Sequence, residues 1–237
     1  MPHLDPTNAI FGRLDAWRHL PAYQLERRAD IFFAIYLREV VSAFTGVALS
    51  DTIIPELPLK RDLIWPQTPG NQSVKLDYCL FAADGSRVFF VELKTDDGSR
   101  RAQQDEYLTK AAQLGFRAIV AGIRDIVLAT TAHQKYHHLV ALLAGEGLLD
   151  VPPDLSELLY PKPQRGLKER LRQLTVTDRD PSIEVLYIQP TATDHDRCID
   201  FAEFAKHVEV HQDPFSQAFA EHLRRWAVTP AGAELPR

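Results

Sequence analysis

Apolar residues recur at helical spacing from residue 23 to 44, with Ile31 and Ile35 on one line and Phe32, Tyr36 and Val40 beside them. No Gly or Pro interrupts the run and Gly46 follows it, so a long helix from Tyr23 to Phe44 is expected, with Phe32, Phe33, Tyr36 and Phe44 on its buried face. Prolines at positions 55, 58, 66 and 69 limit the next stretch to a short edge strand or an irregular crossing. Between Val74 and Lys94 the period changes: two apolar runs flank Asp84-Gly85, which predicts an antiparallel hairpin. Gly98-Ser99 offers a helix start, and Ser99 to Leu114 has helical composition up to a stop at Gly115. Further helices are expected at about Arg117–Thr130 and Gln134–Leu143, then a loop marked by Pro152, Pro153, Pro161 and Pro163. Pro181 to Gln189 is β-branched and aromatic enough to be a strand that could rejoin the hairpin. Phe201–His207 and Pro214–Trp226 read as two more helices, with a frayed tail from Val228. No internal repeat or low-complexity block is present.

Composition narrows the class. The chain has 237 residues, 45% hydrophobic and 25% charged. A chain of this size buries about 70 to 75% of its unfolded surface, enough for a core without disulfides or metals. Cys79 and Cys198 are too few for a disulfide framework and wrongly spaced for a Cys-x-x-Cys zinc site, which points to a reducing, cytoplasmic setting. Asp5, Arg13, Asp15 and Arg18 argue against an ordinary signal peptide in the first twenty residues. The most apolar stretch, Phe116 to Ala132, is broken by Arg117, Arg124 and Asp125, so no membrane span is expected. The net charge of -5 announces no nucleic-acid binder, and any phosphate-binding surface must be local.

The chemistry gathers at the end of the hairpin. In Val88-Phe89-Phe90-Val91-Glu92-Leu93-Lys94, the strand period of two places Glu92 and Lys94 on one face and Phe89, Val91 and Leu93 on the other. A two- or four-residue loop at Asp84-Gly85 sets Asp77 opposite Glu92, whereas a three-residue loop sends the two carboxylates to opposite faces. Facing carboxylates repel unless compensated, and a hard divalent cation compensates them. Mg²⁺ (or Mn²⁺) suits two carboxylates better than zinc, which prefers His and Cys. Lys94 could hold a water or a phosphate oxygen beside that cation, as a metal-assisted phosphoester site requires. Gln103 and Tyr107, four residues apart, project from one face of the following helix. The bland alternative is that these charges are solvated on the open face of a hairpin. In the catalytic reading Lys94 is an exposed strand-end lysine, and Lys94→Ala is expected to abolish cleavage while leaving the fold intact.

Asp77, Glu92-Leu93-Lys94 fifteen residues later, and Gln103-Gln104-Asp105-Glu106-Tyr107 together resemble the PD-(D/E)xK nuclease superfamily. The last of these is similar to the Gln-x-x-x-Tyr motif of its exonuclease branch. The resemblance spans about Tyr23 to Leu114, with Ile183–Gln189 as a further strand, and Leu76 stands where the superfamily's name has Pro. It implies a restriction-endonuclease-like α/β domain over residues 1–237, with a mixed central sheet flanked by helices. A helical insertion at about 117–171 and C-terminal helices at about 199–228 complete that expectation. It implies that Asp77, Glu92 and the Leu93 carbonyl ligate the metal, that Lys94 orients or activates water, and that Gln103 and Tyr107 position the nucleic-acid strand. A first-helix Glu usually joins such a site; Glu39 is preferred to Glu26 because it continues the Ile35 and Tyr36 side of the helix.

Other signals are weaker. His133 and His137, and His207 and His211, have the i, i+4 spacing that can hold zinc or nickel, but no third ligand is evident. From Tyr160 to Asp180 six basic residues, Lys168 and Arg172 among them, outnumber three acidic ones, and with Arg100 and Arg101 they could track a phosphate backbone. The expected activity is Mg²⁺-dependent hydrolysis of phosphodiester bonds, most naturally in DNA. The alternatives are a non-catalytic module binding nucleic acid or protein on a degenerate nuclease fold, and a hydrolase acting on small nucleotides.

Overall fold

The computed structural model describes residues 5–18, 20, 24–67, 73–96, 101–153, 167–192 and 197–228. The elements follow the order α1 (Pro6–Trp17), α2 (Glu26–Thr45), β1 (Leu49–Lys60), α3 (Arg61–Ile64), β2 (Ser73–Ala82), β3 (Arg87–Leu93), α4 (Ala102–Leu114) and α5 (Phe116–Ala129). After a 3₁₀ turn at His133–Tyr136 come α6 (His137–Gly145), β4 (Leu149–Asp150), α7 (Leu167–Leu171), β5 (Thr175–Val176), β6 (Ser182–Gln189), β7 (Cys198–Asp200), α8 (Phe201–Val208) and α9 (Pro214–Val228). The result is a mixed α/β protein whose main sheet has the strand order β1-β2-β3-β6-β7, with β4 and β5 as a separate pair. None of the described helices is long and apolar enough to cross a membrane.

The chain forms two compact units. The unit of Ala48–Val91 and Ala102–Val185 is built on the β1-β2-β3 meander. Asp84 and Gly85 lie in a four-residue loop closed by Gly85 N donating to Ala82 O, and Gly85 takes φ 70°, a left-handed conformation that glycine adopts without penalty. Arg179 lies directly over this turn, where an added Cβ on Gly85 would strike its guanidinium, and bonds Glu146 O at 2.8 Å. β1 is an edge strand, which is how Pro55 and Pro58 are tolerated. Contrary to expectation it is long, twelve residues, because a register irregularity between Leu49 and Ile53 and a left-handed Glu56 at φ 53° absorb the misfit. The interval expected to be helical also contributes β4.

The other unit comprises Met1–Val47, Glu92–Arg101 and Leu186–Arg237. An aromatic core holds its helices together: Phe33 packs on Phe201, Phe204 and Phe219 with ring centroids 5.1 to 5.4 Å apart. The buried face of α2 is Ala29, Phe33, Tyr36, Leu37, Val40 and Val41, while Ile31 and Ile35 are 61% and 59% exposed. Of the aromatic residues expected in the core, Phe33 and Tyr36 are buried, Phe32 is half-buried and Phe44 is exposed, while the Ile35 side that favoured Glu39 faces solvent, a wrong phase for that side of the helix. The helix stops at Gly46, φ 69°, as its sequence requires. α1 was not foreseen, although Asp5 before Pro6 is a readable start: its carboxylate accepts from Thr7 N and Asn8 N.

Asp15 ties α1 to α9, accepting from Trp226 Nε1 at 2.6 Å and lying 2.8 Å from His222 Nδ1. Burial alone would raise its carboxyl, but the contacts with His222 and Trp226 hold it below the usual carboxylate range. A depressed pKa stabilises the fold above the unfolded carboxyl's pKa and loses that contribution as pH falls through the folded one. Asp15→Asn is therefore expected to cost about 1 to 2 kcal/mol at neutral pH. Thermal melts of the two proteins from pH 7 to pH 3 should converge at the acid end, and a constant difference would remove the charge from the explanation.

Candidate functional site

The paired residues Tyr78 with Val91, Cys79 with Phe90, Leu80 with Phe89 and Phe81 with Val88 establish the register that the hairpin turn predicts. Beyond that ladder β3 ends in Glu92 and Leu93, and Lys94 follows directly. β3 is an interior strand: Ser182 N donates to Ser86 O and Lys94 N to Ile188 O, so β6 runs parallel to it on its other side. Parallel neighbours are the usual setting of strands covered on both faces, and here every residue from Val88 to Leu93 is buried. This corrects the expectation of a half-open hairpin with an exposed Lys94. Glu92 is 0% exposed and Lys94 4%.

Two buried opposite charges at a strand end need partners, and they use each other. Lys94 Nζ donates to Glu92 Oε2 at 3.2 Å and to the Leu93 carbonyl at 3.0 Å. A third oxygen comes from α2, whose Glu26 Oε2 lies 3.9 Å from the same nitrogen, with 31% of its side chain exposed. Glu26 sits in the first turn of α2, beside the buried Ala29 line, which is why it turns inward while Arg27 and Arg28 are exposed. Glu39 does not join this group. It is exposed on a later turn and pairs with His211 Nε2 at 2.9 Å. The preference for Glu39 followed from the wrong helical phase described above, and Glu26, the second choice, is the residue the fold brings to Lys94.

In the other unit Asp77 is half-buried in the middle of β2. Two residues before it, Lys75 pairs with Glu56 of β1, and its carbonyl accepts from Tyr107 Oη of α4 at 3.2 Å. Gln104 Nε2 donates to the same hydroxyl at 3.3 Å. Gln104, three residues before Tyr107, is thus the glutamine that meets it, and Gln103 is exposed. Tyr107 also meets Trp65 edge-on, with ring centroids 6.2 Å apart. Trp65 carried no motif by which sequence reasoning could have placed it.

Of the basic residues expected to meet a phosphate backbone, Arg101 and Arg172 are exposed. Arg100, Lys162 and Arg165 lie outside the described residues, and Lys168 is described only as part of α7. His133 is buried and its Nδ1 bonds Val127 O, His207 lies 3.6 Å from Glu203 and His211 pairs with Glu39, so these three histidines each meet a different oxygen.

Among the described residues no group of three or more His, Cys, Asp or Glu side chains gathers as a metal site. What does gather on Lys94 Nζ is two carboxylates and a peptide carbonyl, a set of hard oxygen donors already turned toward one positive charge. That set fits Mg²⁺, which retains several waters and takes only one or two carboxylates from a protein. It does not fit zinc. No protein-family model matches the chain, and neither does any curated protein or solved structure. The function must therefore be argued from these side chains alone.

The burial of this pair has a direct consequence for stability. Glu92→Gln leaves a buried ammonium with a weakened set of acceptors, and a loss of about 3 kcal/mol is expected without metal. Adding Lys94→Met to that variant removes the stranded charge and should recover most of the loss, measured by urea unfolding in chelator. A double variant no more stable than Glu92→Gln would show that the two charges are not coupled.

Proposed function

We propose that the chain is a metal-dependent phosphodiesterase acting on nucleic acid, built on a restriction-endonuclease-like core. The observation that carries this reading is the buried Glu92–Lys94 pair with the Leu93 carbonyl and Glu26 around it, at the end of an interior strand. The order of elements supports it: a helix, an antiparallel three-stranded meander, a helix and a strand parallel to the third. So does the spacing of Asp77, Glu92-Leu93-Lys94 and the Gln/Tyr helix, which resembles the PD-(D/E)xK superfamily.

In this reading Glu92 and the Leu93 carbonyl would hold the metal, with Glu26 as a further oxygen. Bound Mg²⁺ supplies a Lewis acid for the phosphoryl oxygens and a water of lowered pKa. Lys94, held by Glu92 and Leu93, donates to the phosphoryl oxygen or the attacking water and fixes the line of approach. The new P–O bond to water forms as the bond to the leaving strand breaks. The low exposure of Glu92 and Lys94 keeps bulk water from screening these charges, so each acts more strongly on a phosphate than a surface residue does.

The test is incubation of the purified chain with linear and circular DNA, single and double stranded, in Mg²⁺, Mn²⁺ or chelator. Lys94→Met is the control, because it removes the ammonium and keeps the buried volume. Metal-dependent cutting that falls at least a hundredfold in Lys94→Met is expected. Glu26→Gln should weaken Mg²⁺ binding by calorimetry. Absence of both cutting and Mg²⁺ binding in the wild type would leave the pair as a structural feature of a binding module.

A further inference from the structure

The strand that carries Asp77 is also where α4 is fastened. Tyr107 Oη donates to Lys75 O, and Lys75 precedes Asp77 by two residues on the same strand face, about 6.6 Å away along β2. The Gln/Tyr motif assigns the positioning of a nucleic-acid strand to Tyr107. Yet Tyr107 is only 8% exposed, and its hydroxyl is engaged by both Lys75 O and Gln104 Nε2. A covered ring offers no face to a base.

Beside it stands Trp65, half-buried at the end of α3, with its ring centroid 6.2 Å from that of Tyr107 at an interplanar angle of 76°. The guanidinium carbon of Arg61, one helical turn back, lies 5.9 Å from the indole centroid. Glu106 of α4 takes a side-chain hydrogen bond from Trp65. These contacts fix the indole, with Arg61 lying over one face of its ring, while the residue as a whole stays half-buried. An indole face stacks on any nucleobase, and a guanidinium forms paired hydrogen bonds with a phosphate. Together they make a holder for one nucleotide, set beside the strand of Asp77.

We propose that Trp65 and Arg61 form a nucleotide-stacking platform, so that the substrate is taken as an unpaired strand or a frayed end rather than as intact duplex. The inference rests on the nuclease reading and deepens it. Tyr107 becomes the positioning residue that holds the platform against β2, and Trp65 the residue that touches nucleic acid.

The experiment measures binding of a labelled oligothymidylate and of a blunt duplex of equal length by fluorescence anisotropy in chelator, for wild type, Trp65→Ala and Trp65→Phe. Trp65→Ala should weaken single-strand binding about tenfold, and Trp65→Phe should restore most of it, because a smaller ring still stacks. Duplex binding should change less than about twofold in both variants. The part of the tryptophan emission lost in Trp65→Phe should be the part that oligothymidylate quenches in wild type. Melting curves of each variant separate loss of stacking from loss of fold. Equal single-strand binding by wild type and Trp65→Ala, or Phe no better than Ala, overturns the platform while leaving the nuclease reading intact. A wild type that binds and cuts neither nucleic acid overturns both.

Discussion

A lysine and a glutamate buried together at the end of an interior strand are the constraint on which the rest of this structure turns. Each charge alone would cost several kcal/mol to desolvate, so the fold must deliver oxygens to the ammonium with little tolerance. It does so from three places: the side chain of Glu92, the peptide carbonyl of Leu93 and the first turn of α2 through Glu26. The phase and the starting point of α2 are therefore not free to drift. They are set by the aromatic core, where Phe33 locks onto Phe201, Phe204 and Phe219 and turns the Ala29 line inward, with Glu26 beside it.

Local rules made the hairpin legible. Asp84-Gly85 specifies a turn, the turn specifies a register, and the register of Tyr78 with Val91 is the one that turn chemistry predicts. α2, α4, α5 and the last two helices were legible for the same reason, since periodicity and glycine or proline stops act over a few residues. What failed was long-range. The sequence of β3 is an apolar run that alternates only at Glu92-Leu93-Lys94, and the arrival of β6, almost a hundred residues later, makes it an interior strand. The choice between Glu26 and Glu39 depended on which residues of α2 find aromatic partners, and those partners lie in α8 and α9.

The site was legible in its residue types more than in its contacts. Asp77, Glu92 and Lys94 were marked by the hairpin, yet the first-helix carboxylate that comes near Lys94 is Glu26 and not Glu39, the first choice. That shift comes from helical phase, and phase also decides which glutamine bonds Tyr107. On α4, Gln104 at i−3 reaches the tyrosine hydroxyl while Gln103 at i−4 points to solvent, because Tyr107 is drawn inward to Lys75 O. Sequence spacing treats i−3 and i−4 as equivalent neighbours; the bond to β2 decides between them.

A sheet of this order can carry many chemistries, so the fold by itself does not choose a function. The choice rests on what a purely structural role would have favoured. Replacing a buried ion pair with apolar side chains of similar volume is often neutral or stabilising, and the surrounding strand, from Val88 to Val91, is already apolar. A protein under pressure only for stability has a simple alternative at Glu92 and Lys94. Keeping a carboxylate, a carbonyl and a second carboxylate turned toward one buried cation makes physical sense when those oxygens have a further task, and hard divalent cations are the ligands whose chemistry they match.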